Sequence, residues 1–154
     1  MDTDWNAPET HPTDPRLFIA LALCDGIGPF AFHRLLSVFG SPEAVFGASA
    51  RELTEAWPRL GAGSLIAIGR GPDLAGVERQ LEEGRRLGID LVTCRSPGYP
   101  APLLDLPHPP PVLWLQGRWR DRDRRALAVV GTRHPSPYGA GAARKFGLQL
   151  AEAG

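Results

Sequence analysis

The chain has 154 residues, room for one ordinary domain or two small ones, and its 17 lysines and arginines balance 17 aspartates and glutamates, so whole-chain charge argues neither for nor against a polyanionic partner. Its two cysteines, Cys24 and Cys94, lie far apart and outside any C-x-x-C or Cys/His cluster, which argues against a structural zinc site and suits a reducing cytoplasm. The chain does not open with a basic segment followed by an apolar one, and no apolar run reaches bilayer length, so the expectation is a soluble, cytoplasmic protein with no membrane partner.

Residues 1–15 hold three prolines and four acids with no lysine or arginine, and read as a disordered leader. From Arg16 the pattern changes. "RLFIALALC" is apolar nearly all round, as a buried helix would be, and stops at "DGIGP", where Gly26 and Gly28 supply a turn. Pro29 suits the first turn of a second helix over 29–39, with Phe32, Leu35, Leu36 and Phe39 on one face. Ser41 opens a short third helix and Ser49 caps a fourth, "ARELTEAW". "PRLGAGSLIAIGR" then repeats the earlier scheme, with Gly61 and Gly63 between apolar flanks, as a degenerate second copy of one helical hairpin. Pro72 and Asp73 open a longer helix to about Leu87, with Leu74, Val77, Leu81 and Leu87 at helical spacing and Gly88 as its stop. A helical domain over 16–88 is the result.

Beyond it, "IDLVTC" reads as a strand on its β-branched content. Seven of the sixteen prolines fall in residues 96–111, too many for a regular element, so this segment is expected to be an extended connector. "VLWLQG" and "LAVVG" are further strands, the second apolar without alternation, as in a parallel sheet covered on both faces. A helix from about Tyr138 to Ala153 follows, with Ala142, Phe146, Leu150 and Ala153 on one side. Gly154 would be its C-cap, after which a doubly wound fold calls for another strand, so residues 89–154 read as the first part of a domain that continues. Charge is uneven here: residues 118–145 carry seven arginines and Lys145 against Asp121 and Asp123, as an anion-binding surface would.

Two stretches could carry chemistry. A helix, a G-x-G turn and a second helix leave backbone N–H groups at the second helix's start, so Gly26 and Gly28 could frame a site for one DNA phosphate. Pro29 removes one donor and Phe32 is bulky for such a motif, so a plain glycine turn between packed helices is the stronger reading. The other stretch is "GTRHPSPYG". At the C-terminal edge of a parallel sheet, Arg133 would offer a guanidinium and Thr132 and Ser136 hydroxyls to phosphate oxygens, while Gly131 and Gly139 allow close backbone approach, and Lys145 adds charge on the following helix. A lone arginine is by default a solvated loop residue, so the motif is only a candidate. His33, beside Arg34, reads as a surface residue, His108 sits in the proline run, and His134, next to Arg133, could join an anion site or do nothing. Trp57, Trp114 and Trp119 read as packing residues rather than base-stacking platforms. No carboxylate pair, metal cluster, Walker loop or serine triad is visible, so no catalytic residue, metal or cofactor is expected and the chain does not read as an enzyme.

Three ordered segments, "GIGPFAFHRLLSVFGSPEAVF", "GIDLVTCRSPGYPAPLLDLPHPPPVLWLQG" and "ALAVVGTRHPSPYGAGAARKFGLQLAEAG", resemble the N-terminal part of the DNA-processing protein A family, also called DprA or Smf, over about residues 16–154. The resemblance implies an α plus α/β architecture: a small SAM-like or helix-hairpin-helix-like bundle, then the beginning of an extended Rossmann-like parallel sheet that binds single-stranded DNA. It also implies protection of incoming strands during natural transformation, their delivery to the RecA recombinase, and a homodimer in the full-length protein. Gly131, Thr132 and Arg133 match the family's G-S/T-R segment, whose arginine contacts the DNA backbone. The family's later motifs, a "SGLARGID"-like segment, a second DNA-contacting lysine and the self-association surface, are expected beyond Gly154. Two other classes remain open: a Rossmann-like nucleotide phosphoribohydrolase, whose P-G-G-x-G-T-x-x-E segment is not found here, and a helical protein-interaction module without DNA binding.

Overall fold

The computed structural model describes residues 14–120, 123–124 and 126–153. It falls into two units, one extending to Arg118 and one starting at Trp119. In the first, helices α1 (Pro15–Ala22), α2 (Pro29–Phe39), α3 (Pro42–Gly47), α4 (Ala50–Ala56), α5 (Ala62–Gly69) and α6 (Leu74–Leu87) follow one another closely. Their starts are locally encoded. Asp14 caps α1 by accepting from the Arg16 N–H, and Pro15 fills the first helical position, where a missing N–H costs nothing. Asp14 and Pro15 therefore belong to the bundle rather than to the expected leader, whose residues 1–13 lie outside the described residues. Ser41 caps α3, Ser49 and Glu52 form a reciprocal capping box on α4, and Asp73 caps α6 through the Gly76 N–H. Gly88 ends α6 with φ +66°, a left-handed conformation natural to glycine.

The apolar faces of these helices meet in one core. Phe32, Leu35 and Leu36 of α2 pack with Phe18 and Leu21 of α1, Val45, Leu53 and Ile68. Phe18 and Phe32 meet edge to face at 4.8 Å between centroids. Val77 of α6 joins Ile19 and Ala20 on another side of α1. The two glycine hairpins also meet: a Cβ on Gly26, which sits at φ +75°, would run into the hydroxyl of buried Ser64 on α5.

Strands β1 (Ile89–Thr93) and β2 (Val112–Gln116) pair antiparallel, with Leu91 opposite Trp114 and Thr93 opposite Val112. A parallel sheet was the expectation for this region. Parallel pairing needs a crossover of a dozen or more residues, usually through a helix, whereas the proline-rich connector turns back on itself around a single helical turn, α7 (Ala101–Leu104). The hairpin lies against α6: a Cβ on Gly84 would sit 2.9 Å from the Ile89 carbonyl and 3.1 Å from the Trp114 ring. Residues 89–118 are thus in the same unit as the helices, although their sequence pattern sets them apart at Gly88.

The connector is bonded in detail. Three successive proline carbonyls each accept from a different group: Pro109 from the His33 Nε2–H at 2.7 Å, Pro110 from the Tyr99 hydroxyl at 2.8 Å, and Pro111 from the Cys94 N–H at 3.0 Å. His33 is accordingly 3% exposed, not a surface residue. It follows Phe32 on the edge of the core-facing stripe of α2, and what covers it comes from a segment distant in sequence. Burial holds its imidazole below the ordinary histidine pKa, against the opposing pull of the Pro109 carbonyl, and burial together with the nearby Cys94 pushes the Tyr99 phenol up to about 12.

In the second unit the main element is helix α8 (Pro137–Ala153), and residues 126–136 form no strand. The "LAVVG" strand expected there is not formed. A strand buried on both faces needs neighbours to satisfy its N–H and C=O groups, and among the described residues none pairs with it. Leu127 and Val130 are exposed instead, Val130 at 89%. Among the described residues no helix is long and apolar enough to cross a membrane.

Candidate nucleic-acid interface

The approach to α8 is organised by two hydroxyls. The Ser136 Oγ accepts from the Gly139 N–H at 3.2 Å while its carbonyl accepts from the Ala140 N–H at 2.9 Å, so Ser136 caps the helix and Pro137 takes the first helical position. The Thr132 Oγ1 accepts from the His134 N–H at 3.3 Å and closes a tight turn around Arg133. In both groups the oxygen receives a backbone proton and the O–H still has its own to donate. Arg133 is exposed, and among the described residues its guanidinium has no hydrogen bond or ion pair.

Electrostatics reinforce this arrangement. Residues 126–151 contain no acid and carry Arg133, Arg144 and Lys145. The start of the 17-residue α8 adds the positive end of its dipole. Lys145 lies two turns on, about 10 Å along the axis from Tyr138 at 1.5 Å per residue, too far to share one small anion with the capping turn. The structure thus brings Gly131, Thr132, Arg133 and Ser136 into one short loop, places Gly139 in the first turn of α8 and sets Lys145 apart farther along the helix.

The glycines divide by role. Gly131 has no positive φ, and a Cβ there would meet nothing within 4 Å; at Gly139 it would make only ordinary contacts with Ser136 and Pro135. Among the described residues nothing requires glycine at Gly131. Gly26, by contrast, is required by its φ and by Ser64. Gly28 begins α2 with extended backbone, φ −80° and ψ 172°, offers no side-chain cap, and accepts from the Phe32 N–H through its carbonyl. Phe32 is fully buried, which explains a bulky residue at that point of the motif. Gly26 and Gly28 belong to the first unit and the Arg133 loop to the second.

Among the described residues no three histidine, cysteine, aspartate or glutamate side chains gather to hold a metal ion. Sequence inspection gave no role to Phe30, whose ring is half exposed beside Trp57 and His108. The available signal was its position at the start of α2, off the Phe32, Leu35 and Leu36 face.

Comparison with known proteins places the loop in context. Residues 90–154 match the family described as DNA recombination-mediator protein A, a stretch that includes the Arg133 loop and Lys145 but neither Gly26 nor Gly28. Protein Smf of Synechocystis sp. is 35% identical over 78 residues, covering 48% of this chain and 20% of that protein. The chain therefore spans about one fifth of the length of this curated relative. No solved structure matches it significantly. The G-T-R turn lies inside the matched stretch, so it is residues 90–154 that are similar to the DNA recombination-mediator protein A family.

Proposed function

We propose that this chain binds single-stranded DNA as a non-enzymatic component of DNA recombination, with Arg133 and the hydroxyls of Thr132 and Ser136 on one backbone phosphate, Gly131 and Gly139 allowing its close approach, and Lys145 on a neighbouring phosphate. The observation that carries this reading is the exposed, acid-free loop at the start of α8, within the segment matched to a recombination-mediator family. Hydroxyls and an arginine at a helix N-terminus suit a phosphodiester and supply no nucleophile with a base. The same reading takes residues 16–88 as a SAM-like or helix-hairpin-helix-like domain and 89–154 as the start of a Rossmann-like one; the family match begins at residue 90, although residues 89–118 share a unit with the helices. It extends to protection of incoming strands in natural transformation, delivery to RecA, homodimerisation of the full-length protein and a cytoplasmic location, all of which rest on the family resemblance.

Fluorescence anisotropy of a labelled oligo(dT), titrated at several salt concentrations, tests the reading. Arg133→Ala is expected to weaken binding about equally across sequences and to reduce the slope of log K against log salt by about 0.7, the value for one single-strand phosphate. Identical affinity and slope in variant and parent would remove Arg133 from the interface. Hydrolysis of a nucleoside monophosphate without DNA binding would favour a phosphoribohydrolase instead.

A further inference from the structure

Phe30, Trp57 and His108 stand together outside the core of the first unit. The Phe30 ring lies 4.8 Å from Trp57 and 4.4 Å from His108, and Phe30 keeps 47% of its surface exposed. His108 is exposed as well, while Trp57 is half-buried, with one side against the bundle. Three elements distant in sequence, the first turn of α2, the end of α4 and the proline connector, thus converge to present aromatic surface to solvent. Stability alone does not account for Phe30, because a ring left half in water recovers only part of its burial energy. Two arginines flank it: Arg34, one turn along α2, is held beside the cluster by its Nε–H on the Ala56 carbonyl at 3.2 Å, and Arg59 follows Trp57 by two residues, while Glu55, two residues before Trp57, is paired with Arg51 at 2.8 Å. Helix α2 contains no acid.

We infer that Phe30, Trp57 and His108 form a stacking platform for bases of single-stranded DNA, with Arg34 and Arg59 beside the strand's phosphates. Every base has a π-face, so exposed rings flanked by cations bind single strands without reading sequence. The ligand class rests on the DNA-binding reading above; the residues are independent of it, being in the other unit.

The test uses the full chain and labelled oligo(dT). Phe30→Leu keeps apolar area but removes the π-face and should weaken binding about tenfold, while Phe30→Tyr stays within about twofold of the parent. Because no phosphate contact is lost, the salt slope of Phe30→Leu should equal that of the parent, unlike Arg133→Ala. An abasic oligonucleotide of equal length should bind parent and Phe30→Leu alike. Unchanged oligo(dT) affinity in Phe30→Leu, with a loss in Arg133→Ala, overturns the platform and leaves the Arg133 loop standing. A loss in Phe30→Leu with none in Arg133→Ala does the reverse, and absence of binding by the parent overturns both. If Phe30→Leu melts below the parent, His108→Ala, which trims an exposed ring from the connector, carries the same expectation of weaker binding, and unchanged affinity there overturns the inference.

Discussion

The unit ending at Arg118 buries a core of apolar residues, whereas the unit from Trp119 buries none among its described residues, although both contain phenylalanine, leucine and valine. In the first, Phe32 is enclosed by α1, α2 and their neighbours; in the second, Phe146 is 61% exposed on α8. Hydrophobic stabilisation comes from area removed from water, and that needs opposing surfaces. Composition alone does not make a core. The exposed unit is also the one whose loop presents Arg133 and two hydroxyls.

The sharpest way to break this contrast is to delete equivalent rings. Phe32→Ala should cost about 3–5 kcal/mol by urea unfolding, whereas Phe146→Ala should change stability by less than about 0.5 kcal/mol. Equal losses would show that α8 has a packing partner. A smaller effect separates the glycines: Gly26→Ala forces a left-handed alanine against Ser64 and should cost about 2 kcal/mol, while Gly131→Ala should leave the unfolding midpoint unchanged and weaken only oligo(dT) binding. A stability loss at Gly131, or none at Gly26, would reverse their roles.

The smallest effect is one of pH. Burial depresses the folded-state pKa of His33, so the unfolded chain takes up the proton first. The stability this contributes is fully present above about pH 6.5, the unperturbed histidine value, and is lost as pH falls through the depressed folded pKa. Urea midpoints at pH 7.5 and 5.5 should therefore fall in the parent and change less in His33→Gln. The lowered carboxyl pKa values of Asp14 and Glu52, each held down by a hydrogen bond from Arg16 or Ser49, act at lower pH and should leave this interval undisturbed. An identical pH response in the two proteins would mean that His33 is not the titrating group.

What could be foreseen follows from the range of the forces involved. Ser41, Ser49 and Asp73 act on N–H groups three residues away, and Gly88 acts through its own φ, so the helices of the bundle were legible with their ends. The strands over 89–93 and 112–116 were legible as strands but not in their pairing, because direction is set by how the connector returns. His33 was misplaced because its cover, Pro109, comes from elsewhere in the sequence. The segment Leu127–Val130 has strand chemistry without a partner strand, and a strand is a relation between segments. For the Arg133 loop the residue types were legible. The acid-free surroundings could also be read directly, but the hydroxyl-closed turns required coordinates.

The run Pro109, Pro110, Pro111 has a consequence for what the fold can tolerate. Each ring fixes its own φ, which restricts how the three carbonyls can be re-aimed. Those of Pro109, Pro110 and Pro111 meet His33, Tyr99 and Cys94 in turn. The run works like a key with three cut faces. Lengthening it by one residue would put the carbonyls beyond the insertion out of step with those before it, leaving at least one of the three donors without its acceptor. An added glycine in the exposed 131–136 loop would displace only the local turn. Length variation should therefore be tolerated around Arg133 and refused between Pro109 and Pro111, where the chain's phase carries the information.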